Sequence, residues 1–176
     1  MTRYVALLRG INVNGITITM SSLQTMFTEL GFSTVKTVLA SGNVLFTAQR
    51  ENDAAAIKAR IEAALSETYG YQAWIVLLDV DTLARIVEDY PYDSYREGWH
   101  PYVLFSSDEA ALAELLAGAQ ALDPDDERIS AGDGVLYWEV RRAVGIGSPF
   151  SKISGKTRYR SSTTTRNLRT LHKLLR

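Results

Sequence analysis

The order of two hydrophobic periods along the first half of the chain constrains its fold more than any other feature. Apolar runs typical of strands occupy residues 4–8, 35–39, 44–46 and 74–78. Apolar residues with the period of a helix lie between the first two runs and again before the fourth. The resulting order, β-α-β-β-α-β, is typical of the ferredoxin-like split βαβ fold, in which two helices cover one face of an antiparallel sheet.

Polar residues and glycines predict where these elements begin and end. Ser21, with Gln24 three residues later, predicts a capping box at the start of the first helix. Asp53 is predicted to cap the second helix, which Gly70 ends. Residues 41–43 (Ser-Gly-Asn) predict a tight hairpin turn, because Gly and Asn tolerate a positive φ.

The second half begins with a similar order and then changes in composition. Its elements include a helix capped by Ser106 and Glu109 and a hairpin at residues 132–134. Ser148, followed by Pro149, predicts a further helix start. We therefore expect a second plait of the α+β class with an altered C-terminal part.

The expected organisation is two ferredoxin-like subdomains that pack as one unit, because no Pro/Gly-rich linker separates the halves. The predicted parts are a subdomain at residues 1–79, a second plait-like subdomain at 80–145 and a basic C-terminal segment at 146–176 that packs back on the rest. The last segment is expected to end in a helix that begins at one of Thr163–Thr165 and runs to about Leu175.

Composition excludes several classes of protein. Of the 176 residues, 46% are hydrophobic and 22% are charged, which is typical of a soluble globular protein. The absence of Cys excludes disulfides and thiolate catalysis, and the presence of only 2 His excludes a multi-His metal site. Because no apolar run approaches the ~20 residues of a membrane span, we expect a cytoplasmic protein without metal, cofactor or membrane partner. Its oligomeric state is not predicted.

Charge is segregated along the chain, although the net charge is only -1. Residues 51–139 contain 19 acidic and 5 basic residues, whereas residues 140–176 contain 10 basic residues and no acidic one. Either the acidic middle and the basic tail neutralise each other, or the tail forms an anion-binding surface. On the predicted last helix, four basic residues share one arc opposite the leucines, namely Arg166, Arg169, Lys173 and Arg176.

Three segments together resemble the Domain of Unknown Function 1697 family. They are residues 8–13 (LRGINV), 41–44 (SGNV) and 164–167 (TTRN). The resemblance implies a bacterial protein whose family has no established biochemical activity. It also implies a pair of ferredoxin-like subdomains whose C-terminal helices exchange between them. The chain departs from the family's usual pattern at Leu168 and Arg169, where an aromatic residue and Asn are usual.

The same segments supply the predicted ligand site, because each places polar side chains at a strand end or a helix start. If the last helix docks against the first sheet, two arginine side chains could bind a carboxylate or phosphate bidentately. Turn and capping roles explain the same residues equally well. The predicted ligand-binding residues are Arg9, Asn12, Asn14, Ser41, Asn43, Thr165, Arg166, Asn167 and Arg169.

Three functions remain open on the sequence. The first is a non-catalytic protein that binds an anionic partner, either a phosphorylated small molecule or a nucleic acid. The second is an enzyme for a small anionic substrate, with Arg9 and Arg166 as clamps and Asn43 or Asn167 as a donor. The third is a structural or protein-interaction module. No general base is evident, and His100 is interpreted as a loop or core histidine.

Overall fold

The fold belongs to the α+β class that the sequence predicts. The computed structural model describes residues 1–10, 15–39, 42–49 and 53–176. These residues form eight strands and six α-helices, with the strands in two four-stranded antiparallel sheets. None of the described helices is long and apolar enough to cross a membrane.

The backbone divides into two compact units. The first unit contains residues 1–83 and 173–176, and the second contains residues 84–172. The division therefore falls after Leu83, whereas the sequence places it at residue 79. Residues 146–172, expected in a separate basic segment, belong to the second unit and supply a strand to its sheet.

The first unit has the predicted order of elements around a sheet with strand order β2-β3-β1-β4. Buried aromatic rings form the centre of its core, with Phe46 lying 4.6 Å from Phe32 and 5.3 Å from Phe27 between ring centroids. Residues of both helices belong to the same buried cluster. The elements are β1 (Thr2–Leu8), α1 (Met20–Glu29), β2 (Ser33–Val38), β3 (Asn43–Ala48), α2 (Ala54–Tyr69) and β4 (Ile75–Asp79).

Helix α3 (Val80–Glu88) leads from β4 into the second unit, whose sheet has the order β6-β7-β5-β8. From β5 to β8 the elements again follow the order β-α-β-β-α-β, so both units share one strand order. The elements are β5 (Trp99–Ser106), α4 (Glu109–Gly118), β6 (Glu127–Ala131), β7 (Val135–Arg141), α5 (Pro149–Ser154), β8 (Thr163–Asn167) and α6 (Leu168–Leu174).

The predicted start of the last helix is wrong. Residues 163–167 form strand β8, which pairs antiparallel with β5, and α6 begins only at Leu168. The segment contains three consecutive threonines, whose β-branched side chains suit a strand, and β5 offers it a hydrogen-bonding edge. Arg166 is therefore not part of a helical basic arc. The Asn167 Oδ1 atom accepts a hydrogen bond from the Arg169 backbone N–H at 2.9 Å at the start of α6.

The predicted caps are confirmed at two helices. The Asp53 carboxylate accepts from the Ala55 backbone N–H at 3.3 Å, and the Ser148 hydroxyl accepts from the Ser151 N–H at 3.1 Å. Gly70 ends α2 with a left-handed φ of 69°.

Two other predicted caps are wrong. Helix α1 is capped by Thr19, whose hydroxyl accepts from the Ser22 N–H at 3.2 Å, and the predicted Ser21 lies inside the helix. Helix α4 is capped by Asp108, whose carboxylate accepts from the Ala110 N–H at 2.9 Å. The predicted Ser106 instead exchanges hydrogen bonds with the Asp108 backbone at 3.0 Å. In both cases the cap is the side chain of the residue directly before the helix.

Candidate functional site

Arg9 and Asn43 lie at the same end of the first sheet. The Leu8 backbone N–H donates to the Gly42 carbonyl at 2.8 Å, which brings the end of β1 beside the start of β3. Asn43 is fully buried, and its Nδ2 donates to the Val38 carbonyl at 2.8 Å across the β2–β3 hairpin. This contact supports a structural role for Asn43. The predicted site residues Asn12, Asn14 and Ser41 lie outside the described residues.

Strand alternation places the predicted residues of β8 on two faces of the second sheet. Thr165 pairs with Leu104, and Asn167 pairs with Tyr102. Leu104 and Tyr102 pack in the cluster that contains residues of α4 and α5, so Thr165 and Asn167 point to the helix-covered face. Arg166, between them in the strand, points to the opposite face.

Arg166 is held by its own strand. It is 7% exposed, and its Nη1 donates to the Thr164 hydroxyl at 2.6 Å and to the Thr165 carbonyl at 3.1 Å. Because its side chain points away from the face of Asn167, the structure does not combine the two in one surface of the second unit.

Three basic residues of the second unit, His100, Arg142 and Arg169, form a basic cluster in which both arginines lie near His100. His100 precedes Tyr102 by two residues in β5, so it shares that face, and the two rings lie 5.8 Å apart. Arg142 directly follows β7, and its backbone N–H donates to the Gly98 carbonyl at 2.7 Å, next to the start of β5. Arg169 lies in the first turn of α6.

The environment of the basic cluster changes the pKa of His100. Burial lowers the pKa of His100, and the guanidinium groups of Arg142 and Arg169 lower it further. His100 therefore favours the neutral imidazole. Its Nδ1 atom is buried and has no hydrogen-bond partner among the described residues. The sequence interpretation of His100 as a loop or core histidine did not include these two cationic neighbours.

The acidic middle of the chain neutralises part of the basic tail. Arg141 pairs with Asp126 at 2.5 Å, and Arg158 pairs with Glu114 at 2.9 Å. In the described part of the chain, Arg142 and Arg169 pair with no carboxylate. Both are exposed, so the cluster keeps its positive charge.

A buried carboxylate, Glu139, lies on the other face of the second sheet. Its Oε1 atom accepts from Arg96 Nη1 at 2.8 Å and from Arg128 Nε and Nη2 at 2.9 and 2.6 Å. Its Oε2 atom is buried without a partner among the described residues. The sequence does contain a signal for this residue, since Glu139 is the single acid inside the apolar run VLYWEVR of β7. It was not identified from the sequence as a candidate site residue. The described residues contain no group of three His, Cys, Asp or Glu that could hold a metal ion.

The family described as a protein of unknown function, DUF1697, matches residues 1–137. The chain belongs to the DUF1697 family. This confirms the family suggested by the sequence motifs, although the motif at residues 164–167 lies beyond the matched range. A comparison of this DUF1697 chain with curated proteins finds no match.

One solved structure similar to this DUF1697 protein is that of the conserved bacterial protein SP0830 from Streptococcus pneumoniae. The two chains have a TM-score of 0.81 and 26% sequence identity. The similarity covers 98% of this chain and 96% of the other. Neither the description of the family nor that of the similar structure states an activity.

Proposed function

We propose that this DUF1697 protein binds a small phosphorylated ligand at the basic cluster of His100, Arg142 and Arg169. One observation supports the proposal above the others. Two guanidinium groups without carboxylate partners in the described residues lie close enough to His100 to lower its pKa. Like charges brought together repel, and a bound oxyanion would remove that repulsion.

The chemistry of the cluster suits a phosphate group. A guanidinium group offers a planar fork of donors that matches the oxygens of a phosphate. Neutral His100 adds a ring that can donate through one nitrogen and accept through the other. Asn167, from the predicted site, positions Arg169 through its hydrogen bond to the Arg169 N–H at 2.9 Å.

The fold supports a finer description of both units. We infer that each is a ferredoxin-like split βαβ unit, because each combines the order β-α-β-β-α-β with the antiparallel strand order 2-3-1-4. This fold hosts many unrelated functions, so it does not select the ligand. Exchange of C-terminal helices and a cytoplasmic location stay predictions.

The proposal is tested by nuclear magnetic resonance of the imidazole C–H groups during titration with inorganic phosphate. The chain contains only 2 His, so His172 provides an internal reference. Bound phosphate stabilises the imidazolium form, and we therefore expect it to raise the pKa of His100. A His100 resonance that phosphate does not move would overturn the proposal.

Matched variants distinguish binding at the basic cluster from a general effect of positive charge. Arg142→Gln/Arg169→Gln removes both guanidinium groups and should abolish the effect of phosphate. Lys156→Gln/Arg160→Gln removes the same charge from exposed residues of the same segment and should leave the effect intact. Equal loss in both double variants would contradict a defined site.

A short single-stranded RNA distinguishes a small ligand from a nucleic acid. A protein that engages several phosphates of a nucleic acid loses affinity for it steeply as salt is added. Tight RNA binding with a steep salt dependence, weakened equally by both double variants, would assign the basic surface to nucleic acid and overturn the small-ligand proposal. We expect the affinity of the protein for the RNA to be no higher than its affinity for inorganic phosphate.

A further inference from the structure

β6, an edge strand of the second sheet, turns backbone hydrogen-bonding groups away from the sheet. The Gly132 N–H donates to the Val135 carbonyl at 2.9 Å, at the end of the β6–β7 ladder. Because bonded and non-bonded pairs alternate in an antiparallel ladder, every second residue before Gly132 bonds to β7. The N–H and C=O groups of Ile129 and Ala131 therefore face outward, and no hydrogen bond of the described chain reaches them.

Side chains occupy backbone groups of the other three edge strands. On β2, Gln24 Nε2 donates to the Val35 carbonyl at 3.3 Å, and on β4, Glu62 Oε2 accepts from the Ile75 N–H at 3.1 Å. On β8, Arg166 donates to the carbonyl of the preceding residue at 3.1 Å. Natural proteins usually block strand edges in such ways, because a free edge is a template for pairing with another chain. Among the four edge strands of the described chain, β6 is the one whose outward groups no side chain occupies.

The free edge of β6 lies in an open cleft of about 390 Å³. The Tyr92 ring forms one wall, and its hydroxyl shares a hydrogen bond of 2.6 Å with the Ser130 hydroxyl. Leu122 lies on the other side, where it packs in the same apolar cluster as Ile129. Walls that rise beside a strand edge suit a single extended segment better than the flat edge of a second sheet.

The turn before β6 supplies negative charge at one end of this edge. Asp123 and Asp125 are exposed, and neither forms an ion pair in the described part of the chain. Beside the cleft itself, two arginines and two glutamates cancel. A segment that pairs antiparallel with β6 brings its C-terminal end to the acidic turn, so positive charge is favoured at that end.

We propose that β6 binds an extended peptide segment of a partner protein as a fifth strand of the second sheet. The segment runs antiparallel to β6 and exchanges backbone hydrogen bonds with Ile129 and Ala131. Apolar peptide side chains opposite these two residues share their face of the sheet and pack towards Leu122. Basic residues at the C-terminal end of the segment contact the acidic turn. The proposal is independent of the phosphate site, since the two share no residue.

The first experiment is titration calorimetry of the full chain with the peptide Thr-Val-Thr-Val-Thr-Lys-Lys, acetylated and amidated at its ends. In the proposed pairing the second valine lies opposite Ile129, and its N–H donates to the Ile129 carbonyl. N-methylation of that valine removes the donor and should weaken binding about tenfold. N-methylation of the second threonine, whose N–H faces away from β6, is the matched control and should leave binding unchanged. Equal or reversed effects would overturn the proposal.

Amide hydrogen exchange, followed by nuclear magnetic resonance, locates the bound peptide. The N–H groups of Ile129 and Ala131 should exchange fast in the free protein, because nothing in the described chain accepts from them. Saturating peptide should slow both. Exchange at Thr165, on the opposite edge of the sheet, should not change. Protection of Thr165 without protection of Ile129 would refute binding at β6.

Charge variants test the contact with the acidic turn. Asp123→Asn/Asp125→Asn keeps the acceptor that Asp123 Oδ1 offers to the Asp125 N–H at 3.0 Å, and removes both charges. It should weaken binding of the lysine peptide but not of a peptide with both lysines replaced by threonine. Glu67→Gln/Glu88→Gln removes the same charge from exposed residues elsewhere and should leave both peptides unaffected. Equal weakening by the two double variants would contradict a contact at the turn.

Ala131→Pro removes an outward N–H from β6 without removing a donor to β7, and it should abolish peptide binding. Urea unfolding checks that the variant folds, and the N-methylated peptides keep the test decisive if it does not. Sedimentation of the free protein tests a second copy of the chain as the occupant. A wild-type dimer that Ala131→Pro converts to a monomer, together with no peptide binding, would overturn the proposal.

Discussion

Trp138 Nε1 donates a hydrogen bond to Glu127 Oε1 at 3.1 Å, between neighbouring strands of the second sheet. The other oxygen of Glu127 accepts from the Phe150 backbone N–H at 3.3 Å, in the first turn of α5. Glu127 is 1% exposed, and its hydrogen bonds come from neutral N–H groups. A single carboxylate thereby joins β6, β7 and α5.

We expect Glu127→Gln to lower the free energy of unfolding by about 1–3 kcal/mol. The amide has nearly the same shape, but its NH₂ group would face the N–H of either Trp138 or Phe150 as a second donor. Glu88→Gln is the control, because Glu88 is exposed at the end of α3. Urea unfolding of both variants measures the difference, and equal stabilities would contradict the assigned hydrogen bonds.

Tyr71→Phe should raise the free energy of unfolding by about 1 kcal/mol. The Tyr71 hydroxyl is buried and has no hydrogen-bond partner in the described part of the chain, so its removal ends a desolvation cost. Burial, followed by the charge of Tyr69, raises the pKa of Tyr71 to about 12.

Tyr90→Phe is the matched comparison and should lower the free energy of unfolding by about 1 kcal/mol. Its hydroxyl donates to the Trp138 carbonyl at 2.9 Å, and burial raises its pKa. Thermal and urea unfolding measure both variants. A destabilising Tyr71→Phe would show that the hydroxyl makes a contact that stabilises the fold.

Gly132→Ala should destabilise the β6–β7 hairpin. A Cβ atom there would lie 2.6 Å from Tyr137 Cε2 and 2.7 Å from Val135 Cγ2, and relief of such overlap costs about 1–3 kcal/mol. At Gly147 a Cβ atom would meet nothing within 4 Å, and its φ is not positive. Gly147→Ala should therefore leave the unfolding midpoint unchanged or raise it slightly. The reverse order of stabilities would refute the packing described for the hairpin.

Acid should weaken the folded state through His100. Burial, Arg142 and Arg169 lower its pKa in the folded state from the ordinary value of 6.5, so the unfolded chain binds the proton first as the pH falls. The contribution of His100 to stability is complete above pH 6.5 and is lost as the pH falls towards the lowered pKa. His100→Asn should therefore flatten the dependence of stability on pH in this window.

The measurement is the free energy of unfolding of the wild-type protein and of His100→Asn between pH 5 and 8. Other groups titrate in both proteins, so the difference between the two curves isolates His100. Arg142→Gln/Arg169→Gln provides a second check, because loss of the cations should raise the pKa of His100. A constant difference between the curves would contradict the lowered pKa.

Local elements were predictable where the signal lies within a few residues. The first β-α-β-β-α-β series, the Asp53 and Ser148 caps and both hairpins follow from periodicity and turn chemistry. The caps of α1 and α4 were missed because several polar residues precede each helix. Which of them caps depends on where the helical hydrogen bonds begin.

Strand β8 was missed for a nonlocal reason. A Thr-rich segment before leucines is compatible with a helix start when only neighbouring residues are considered. The edge of β5, about sixty residues earlier, supplies the hydrogen bonds that make it a strand. That pairing also turns Arg166 away from Asn167, because successive side chains of a strand point to opposite faces.

Spacing and composition were sufficient for the fold class and the positive charge of the C-terminal segment, because these are properties of neighbouring residues and of sums over them. The family followed from the resemblance of three short motifs. Strand register decided which strand residues share a face. It separated Arg166 from Asn167 and placed Arg128 opposite Glu139. The positions of the ends of β7 and β8 beside β5 brought Arg142 and Arg169, which follow these strands, near His100. A shift of one residue in register exchanges the two faces of a strand, so no local pattern could have specified these groups.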